Sequence, residues 1–246
     1  MNRTVKYSIG GAFAAIVLAG YCILTAQCRA DRSMLTCGEI EISFTDSLRF
    51  LSEEDVRECI DKGYGAYIGQ RLDSIKLHRI EEILQSESSV KDCQAWTTDN
   101  GILHVRVRDR VPVVLLDKGG RKMYSDAEGC MFDPRGKEVD GVTVISGDLP
   151  DSPQWLTDAI GLVGYLKSSR IWRDKVDKIY VRKGGDLCIK LKGGNERFIL
   201  GYPDNLEEKF GRIGRYFQWI RPDKGEDCYK SVNVKYNKQI ICRKDI

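Results

Sequence analysis

Catalysis by side chains needs a nucleophile beside a base, a cluster of metal ligands, or paired carboxylates in contrasting surroundings. The chain offers two histidines, His78 and His104. His78 lies in a charge-rich helical pattern and His104 points outward from a strand pattern. Neither has a Cys or Asp partner at ligand or triad spacing, so both read as surface residues. The glycine pairs at 119–120, 184–185 and 193–194 fit turns, and none stands in a phosphate-cradling GxGxxG or GxxxxGK context. Asp126 and Glu128 in SDAEG read as turn residues. Tyr216, Phe217 and Trp219 continue a helix face. Arg106, Arg108 and Arg110 read as the solvent face of a strand rather than a nucleic-acid stripe. The nine cysteines form no CxxC pair, and Cys59, Cys188 and Cys242 sit where a small apolar residue would serve, so they read as reduced core filling. No catalytic residue, metal site or cofactor is expected. Binding is the expected role.

The stretch best suited to binding is YKSVNVKYNKQIIC, Tyr229 to Cys242. Val232, Val234 and Tyr236 alternate with Asn233, Lys235 and Asn237, the period of a half-buried strand. A strand so late in a chain is often a sheet edge with unpaired N–H and C=O groups.

The elements that must carry this edge follow from periodicity. Residues 7–28 hold no charged side chain, and about 20 apolar residues cross a bilayer as a helix. Arg3 and Lys6 precede the run and predict a cytoplasmic N-terminus, residues 1–6. No small-x-small cleavage site or lipoprotein signal follows, so a retained single-pass helix is expected, with the bulk outside the cytoplasm. Residues 39–44 then alternate as a strand. Ser52 with Asp55 opens a helix, and Ile80, Ile83 and Leu84 mark a second. Two strands follow about the turn Asp99-Asn100-Gly101. This strand-helix-helix-strand-strand unit spans 37–110. Residues 111–246 form a β-rich domain with seven strand patterns, the closing stretch among them, and two helices, Pro153 to Ser168 and Leu206 to Ile220. Asp204 or Asn205 is expected to cap the second. The fold class is α+β. A net charge of +3 gives no reason to expect nucleic acid as a partner.

The first unit resembles a POTRA domain, and specific stretches extend the likeness. FLSEEDV and GQRLDSIKLHRIEEILQSESSVKDCQAWTTDNGILHVRVRDRVPV resemble the POTRA of the FtsQ/DivIB cell-division family. The resemblance rests on Gly69-Gln70, Leu72, Ile80-Glu81, Val90, Gly101, Leu103, Val105, Val107, Arg110 and Pro112. KMYSDAEGCMF, RFILGYPDNLEEKFGRI and YKSVNVKYNKQIIC are similar to later motifs of that family, in the same order, most like versions from Bacteroidetes-type bacteria. The resemblance implies a non-enzymatic divisome scaffold of the inner membrane at midcell, bulk periplasmic, that links division proteins and helps control septal cell-wall synthesis. It implies FtsB/DivIC-type and FtsL-type coiled-coil partners, with other divisome components at the POTRA domain. It further implies that a partner strand adds to an edge at Val232, Asn233, Val234, Lys235, Tyr236, Asn237 and Gln239, with Arg197 as a basic residue beside it. On that reading Tyr236→Ala, or Pro at Val234, removes partner binding and leaves the β domain folded. Two rival readings are weighed. A POTRA-bearing chaperone of outer-membrane export would usually carry several POTRAs or a barrel. An extracytoplasmic hydrolase would need a nucleophile–base pair or a metal cluster.

Overall fold

The computed structural model describes residues 17–21, 35–225 and 228–244. The expected membrane span, 7–28, and the N-terminus before it lie outside these residues apart from the helical 17–21. No helix among the described residues is long and apolar enough to cross a membrane. The chain divides into two compact units, Met1–Asp109 and Arg110–Ile246.

Among its described residues from 35 onward, the first unit is a three-stranded sheet with two α-helices and a short 3-10 turn, Leu72–Ser74. Its elements are β1 (Glu39–Phe44), α1 (Glu53–Gly63), α2 (Leu77–Gln85), β2 (Val90–Thr97) and β3 (Ile102–Asp109). The sheet order is β1-β3-β2, with β1 parallel and β2 antiparallel to β3. Ser52 starts α1 through a full capping box: its Oγ accepts from the Asp55 N–H, and the Asp55 carboxylate accepts from the Ser52 N–H. Reciprocal capping satisfies two donors that a helix start otherwise leaves bare. Alternation gives the sheet one apolar face, and Leu103, Val105 and Val107 on β3 are buried with Val56 and Ile60 of α1 and Ile80 and Leu84 of α2. Ile80 and Glu81 divide their labour. Ile80 fills the core, while Glu81 Oε1 accepts from the Ala95 N–H at 2.9 Å. That bond covers a donor on edge strand β2 that another chain could use. At the β2–β3 hairpin, Gly101 has φ +84, and a Cβ there would lie 2.9 Å from the Thr36 carbonyl oxygen. Only glycine meets both demands without strain.

The second unit is one nine-stranded sheet. Its strands are β4 (Val114–Lys118), β5 (Arg121–Ser125), β6 (Met131–Phe132), β7 (Thr143–Gly147), β8 (Val176–Val181), β9 (Leu187–Leu191), β10 (Arg197–Gly201), β11 (Ser231–Asn233) and β12 (Ile241–Arg243), in the order β12-β11-β10-β9-β8-β7-β4-β5-β6. Parallel neighbours need a crossover, usually a helix. Two such pairs, β7–β8 and β10–β11, are joined through α3 (Pro153–Ser168) and α4 (Leu206–Arg215). A π turn, Tyr216–Ile220, extends α4 into a last helical turn, α5 (Arg221–Lys224). Both crossovers contribute to one core. Leu162 and Val163 of α3 and Phe210 and Ile213 of α4 are buried with Ile179, Ile189, Phe198, Leu200 and Val232 of the sheet.

Three expectations are corrected here. Asn205 stands before α4 with φ 45 and makes no side-chain cap, and Asp204 pairs with Lys209 instead. Arg110 is no part of a solvent-facing arginine row: its Nη1 donates to Asp126 Oδ2 at 2.7 Å. The closing stretch is not a single strand.

Candidate partner-binding site

Only Ser231–Asn233 of the closing stretch is strand, and it is not an edge. β11 lies between β10, in parallel register (Phe198 opposite Val232), and β12, in antiparallel register (Val232 opposite Cys242). Residues 236–239 turn, with Lys238 at φ 60 and the Gln239 N–H reaching the Tyr236 oxygen at 3.4 Å. The hairpin thus places β12, not β11, on the outside of the sheet.

Local hydrogen bonds explain why alternation outruns the strand. The Val234 N–H still donates to the Ile199 oxygen at 3.0 Å. The Val234 oxygen, however, is taken by a side chain: Arg212 Nε and Nη2 donate to it at 3.1 and 2.9 Å. The Lys235 N–H then turns back to Asn233 Oδ1 at 2.9 Å. A backbone carbonyl captured by a guanidinium cannot continue a ladder.

The residues expected at the edge therefore divide. Val232 and Val234 are fully buried. Asn233 is half-buried, Asn237 and Gln239 are exposed on the turn, and Tyr236 is 50% exposed. Arg197 is half-buried at the start of β10, opposite Ser231 and Lys190, two strands in from the edge. Lys235 lies at the other end of β10, its stem across Gly201. The two basic residues do not form one patch. Gly201 has φ +75, and a Cβ there would come 2.7 Å from Lys235 Cγ. The glycine is what lets the lysine lie flat.

Lys235 is also engaged. Its Nζ donates to Asp186 Oδ1 at 2.7 Å, while Arg182 Nη2 donates to Asp186 Oδ2 at 2.9 Å. Burial alone would raise the Asp186 carboxyl, but hydrogen bonds from Lys235 and Arg182 outweigh it and hold the group below its ordinary range. Asp126 is shifted the same way: burial opposes, and bonds from Arg110 and the Cys130 and Glu128 N–H groups prevail. A carboxylate depressed in the folded state contributes stability above its unfolded pKa, and that contribution disappears as pH falls through the folded value. Stability is therefore expected to decline below about pH 4, where unfolded carboxyls begin to bind protons. In urea titrations at a series of pH values, Asp186→Asn should show a shallower acid decline than the wild type. Parallel declines would remove Asp186 from the account.

Sequence reasoning gave Lys209 and Arg212 no role. Both lie on α4, 3% and 2% exposed. Lys209 Nζ donates to the Tyr202 oxygen at 2.7 Å and pairs with Asp204, which pins the turn after β10. Arg212 pins the end of β11. The signal was available: both cations interrupt the apolar stripe Leu206, Phe210, Ile213, three residues apart on one side of the helix.

No arrangement for nucleophilic catalysis is found among the described residues. His104 is held by Glu41 at 3.1 Å and Thr98 at 3.0 Å, and stacks on Trp96. Asp126, Glu128 and Cys130 bring three potential ligand atoms within 4.8 Å of one another, but Arg110 and two backbone N–H groups already occupy the Asp126 carboxylate. Among the described residues the seven cysteines outside the N-terminal run are thiols, and that of Cys59 donates to Glu87 Oε1 at 3.3 Å.

The first unit has the strand-helix-helix-strand-strand order of a POTRA domain, and the second is an open sheet with exposed residues beside its terminal strand. The comparisons agree. Residues 35–108 match a POTRA-like domain, and residues 111–243 match the FtsQ/DivIB, C-terminal related family. The chain belongs to the FtsQ/DivIB family, a family of non-enzymatic cell-division scaffolds. It is 26% identical over 212 residues to the cell division protein FtsQ of Streptomyces collinus, across 86% of this chain and 72% of that protein.

Proposed function

We propose that this chain is a single-pass scaffold of the division machinery, anchored through residues 7–28 with residues 1–6 in the cytoplasm. The POTRA domain, 37–110, and the β domain, 111–246, work outside the cytoplasm, in the periplasm at midcell. The β domain takes a strand from an FtsB/DivIC-type coiled-coil protein, in company with an FtsL-type one, and so helps control septal wall synthesis. The POTRA domain contacts other divisome components.

The observation that carries this reading is the composition of the sheet's terminal edge. β12 has only three residues, Ile241 on it is 37% exposed, and Tyr236 in the adjoining turn is 50% exposed. A short strand with unpaired backbone groups and two apolar side chains suits strand addition, in which main-chain bonds give affinity and side chains give specificity. The residues to expect under a partner are thus Tyr236, Asn237, Gln239 and Ile241. Val232 and Val234 support them from the core, and Arg197 and Lys235 act at opposite ends of β10.

Affinity capture with the tagged full chain from dividing cells tests the reading. Small bitopic coiled-coil proteins should be recovered. Recovery of outer-membrane barrel precursors in their place would favour the export-chaperone reading.

A further inference from the structure

A cleft of about 340 Å³ opens in the second unit between the segment after α3, the β9–β10 turn and the α4–α5 helix. Trp172, 7% exposed, and the half-buried Phe217 give it an aromatic floor. Three cations stand around it. Lys175 Nζ lies 5.7 Å from the Trp172 ring centre, and Arg221 Cζ lies 5.3 Å from that of Phe217. The Lys192 N–H donates to the Lys175 oxygen at 2.8 Å, which fixes the third beside the first.

The charges are not equivalent. Arg221 Nε is 3.2 Å from Glu196 Oε1, which also accepts from the Tyr216 hydroxyl at 3.2 Å. Glu196 is 1% exposed, and its charge is matched by Arg221, while its buried Oε2 has no hydrogen-bond partner among the described residues. Among the described residues, no ion pair engages Lys175 or Lys192. The acid next to Lys175 in sequence, Asp174, is exposed. Two uncompensated ammonium groups therefore stand over an apolar, concave floor of a size within the usual range of ligand sites.

We propose that this cleft binds an acidic peptide segment of another protein, with one aliphatic side chain on the Trp172–Phe217 floor and carboxylates on Lys175 and Lys192. Free phosphate would satisfy the lysines and leave the floor uncovered. A lipid surface calls for several apolar side chains that project; at this cleft Ile171 projects, at 61% exposed, but the aromatic floor at Trp172 is sunk, at 7%. In an extended peptide, alternate residues share one face, so a Glu-Gly-Leu-Gly-Glu sequence presents both acids and the leucine together. None of the residues lining this cleft belongs to β12, and the inference does not depend on the strand-addition reading.

The test is fluorescence anisotropy of a labelled Glu-Gly-Leu-Gly-Glu peptide titrated with the full chain. Binding should weaken as sodium chloride is raised, because salt screens such contacts. Lys175→Glu with Lys192→Glu should weaken it on the order of tenfold or more, as reversing complementary charges does. Lys118→Glu with Arg121→Glu, on the β4–β5 hairpin, should leave it unchanged. Equal affinity in the Lys175/Lys192 double variant, or no peptide binding by the wild type at millimolar concentration, would overturn the proposal. So would capture by phosphatidylglycerol vesicles that depends on the two lysines while the peptide does not bind.

Discussion

Arg212→Ala is expected to destabilise the second unit by about 3 kcal/mol, from a stranded buried acceptor together with the void left by the side chain. The side chain is 2% exposed and makes two bonds to the Val234 oxygen. Truncation strands that carbonyl where water does not reach, and an unsatisfied buried acceptor costs roughly 1–3 kcal/mol by itself. A void where the guanidinium lay adds to the cost. The salt bridge to Glu208 contributes little, since it spans 3.4 Å and Glu208 is 66% exposed. Arg212→Lys should recover part of the loss, because an ammonium can reach the carbonyl but cannot offer the paired donors of a guanidinium. Urea denaturation of the three proteins checks this, and a folded Arg212→Ala variant within about 0.5 kcal/mol of wild type would show that Val234 finds another donor. Amide exchange should localise the effect, with Val234 and the β11–β12 hairpin losing protection before β8 and β9 do.

The same bond marks where sequence reading stopped. Local pattern sufficed where an element's own residues decide its fate. The spans Pro153–Ser168, Val176–Val181 and Leu187–Leu191 follow directly from the period of their apolar residues, and the Ser52–Asp55 capping box from four consecutive side chains. Where a distant group decides, pattern misleads. Val232, Val234 and Tyr236 alternate as a strand should, yet Arg212, 22 residues upstream of Val234, ends the ladder. Alternation alone accordingly points to an edge one strand too far in, at β11 in place of β12. Arg197 and Lys235 both read as basic residues near one edge because sequence cannot show that β10 separates them. The two-residue β6 is below the length at which alternation exists at all, and the π turn after α4 leaves the apolar spacing of the helix almost unchanged.

Placing the edge at β12 alters which substitutions separate binding from folding. Pro at Val234 does not separate them: it removes the N–H that donates to Ile199 at the margin of the core, and it is expected to unfold the hairpin. Tyr236→Ala and Ile241→Lys are the discriminating variants. Both side chains are exposed, at 50% and 37%, so folding should tolerate their loss to within about 0.5 kcal/mol. A partner strand laid along β12 would cover both. Truncating a tyrosine anchor at the centre of an interface typically costs roughly 2 kcal/mol or more, which is about thirtyfold in Kd. A lysine at 241 would also set a charge against the apolar side of an incoming strand. Titration calorimetry with the soluble part of an FtsB/DivIC-type protein should therefore show at least that loss for each variant. Circular dichroism should be unchanged. Wild-type affinity in both folded variants would move the partner off this edge. Loss in Tyr236→Ala with full affinity in Ile241→Lys would place it on the turn at 236–239, with β12 uncovered.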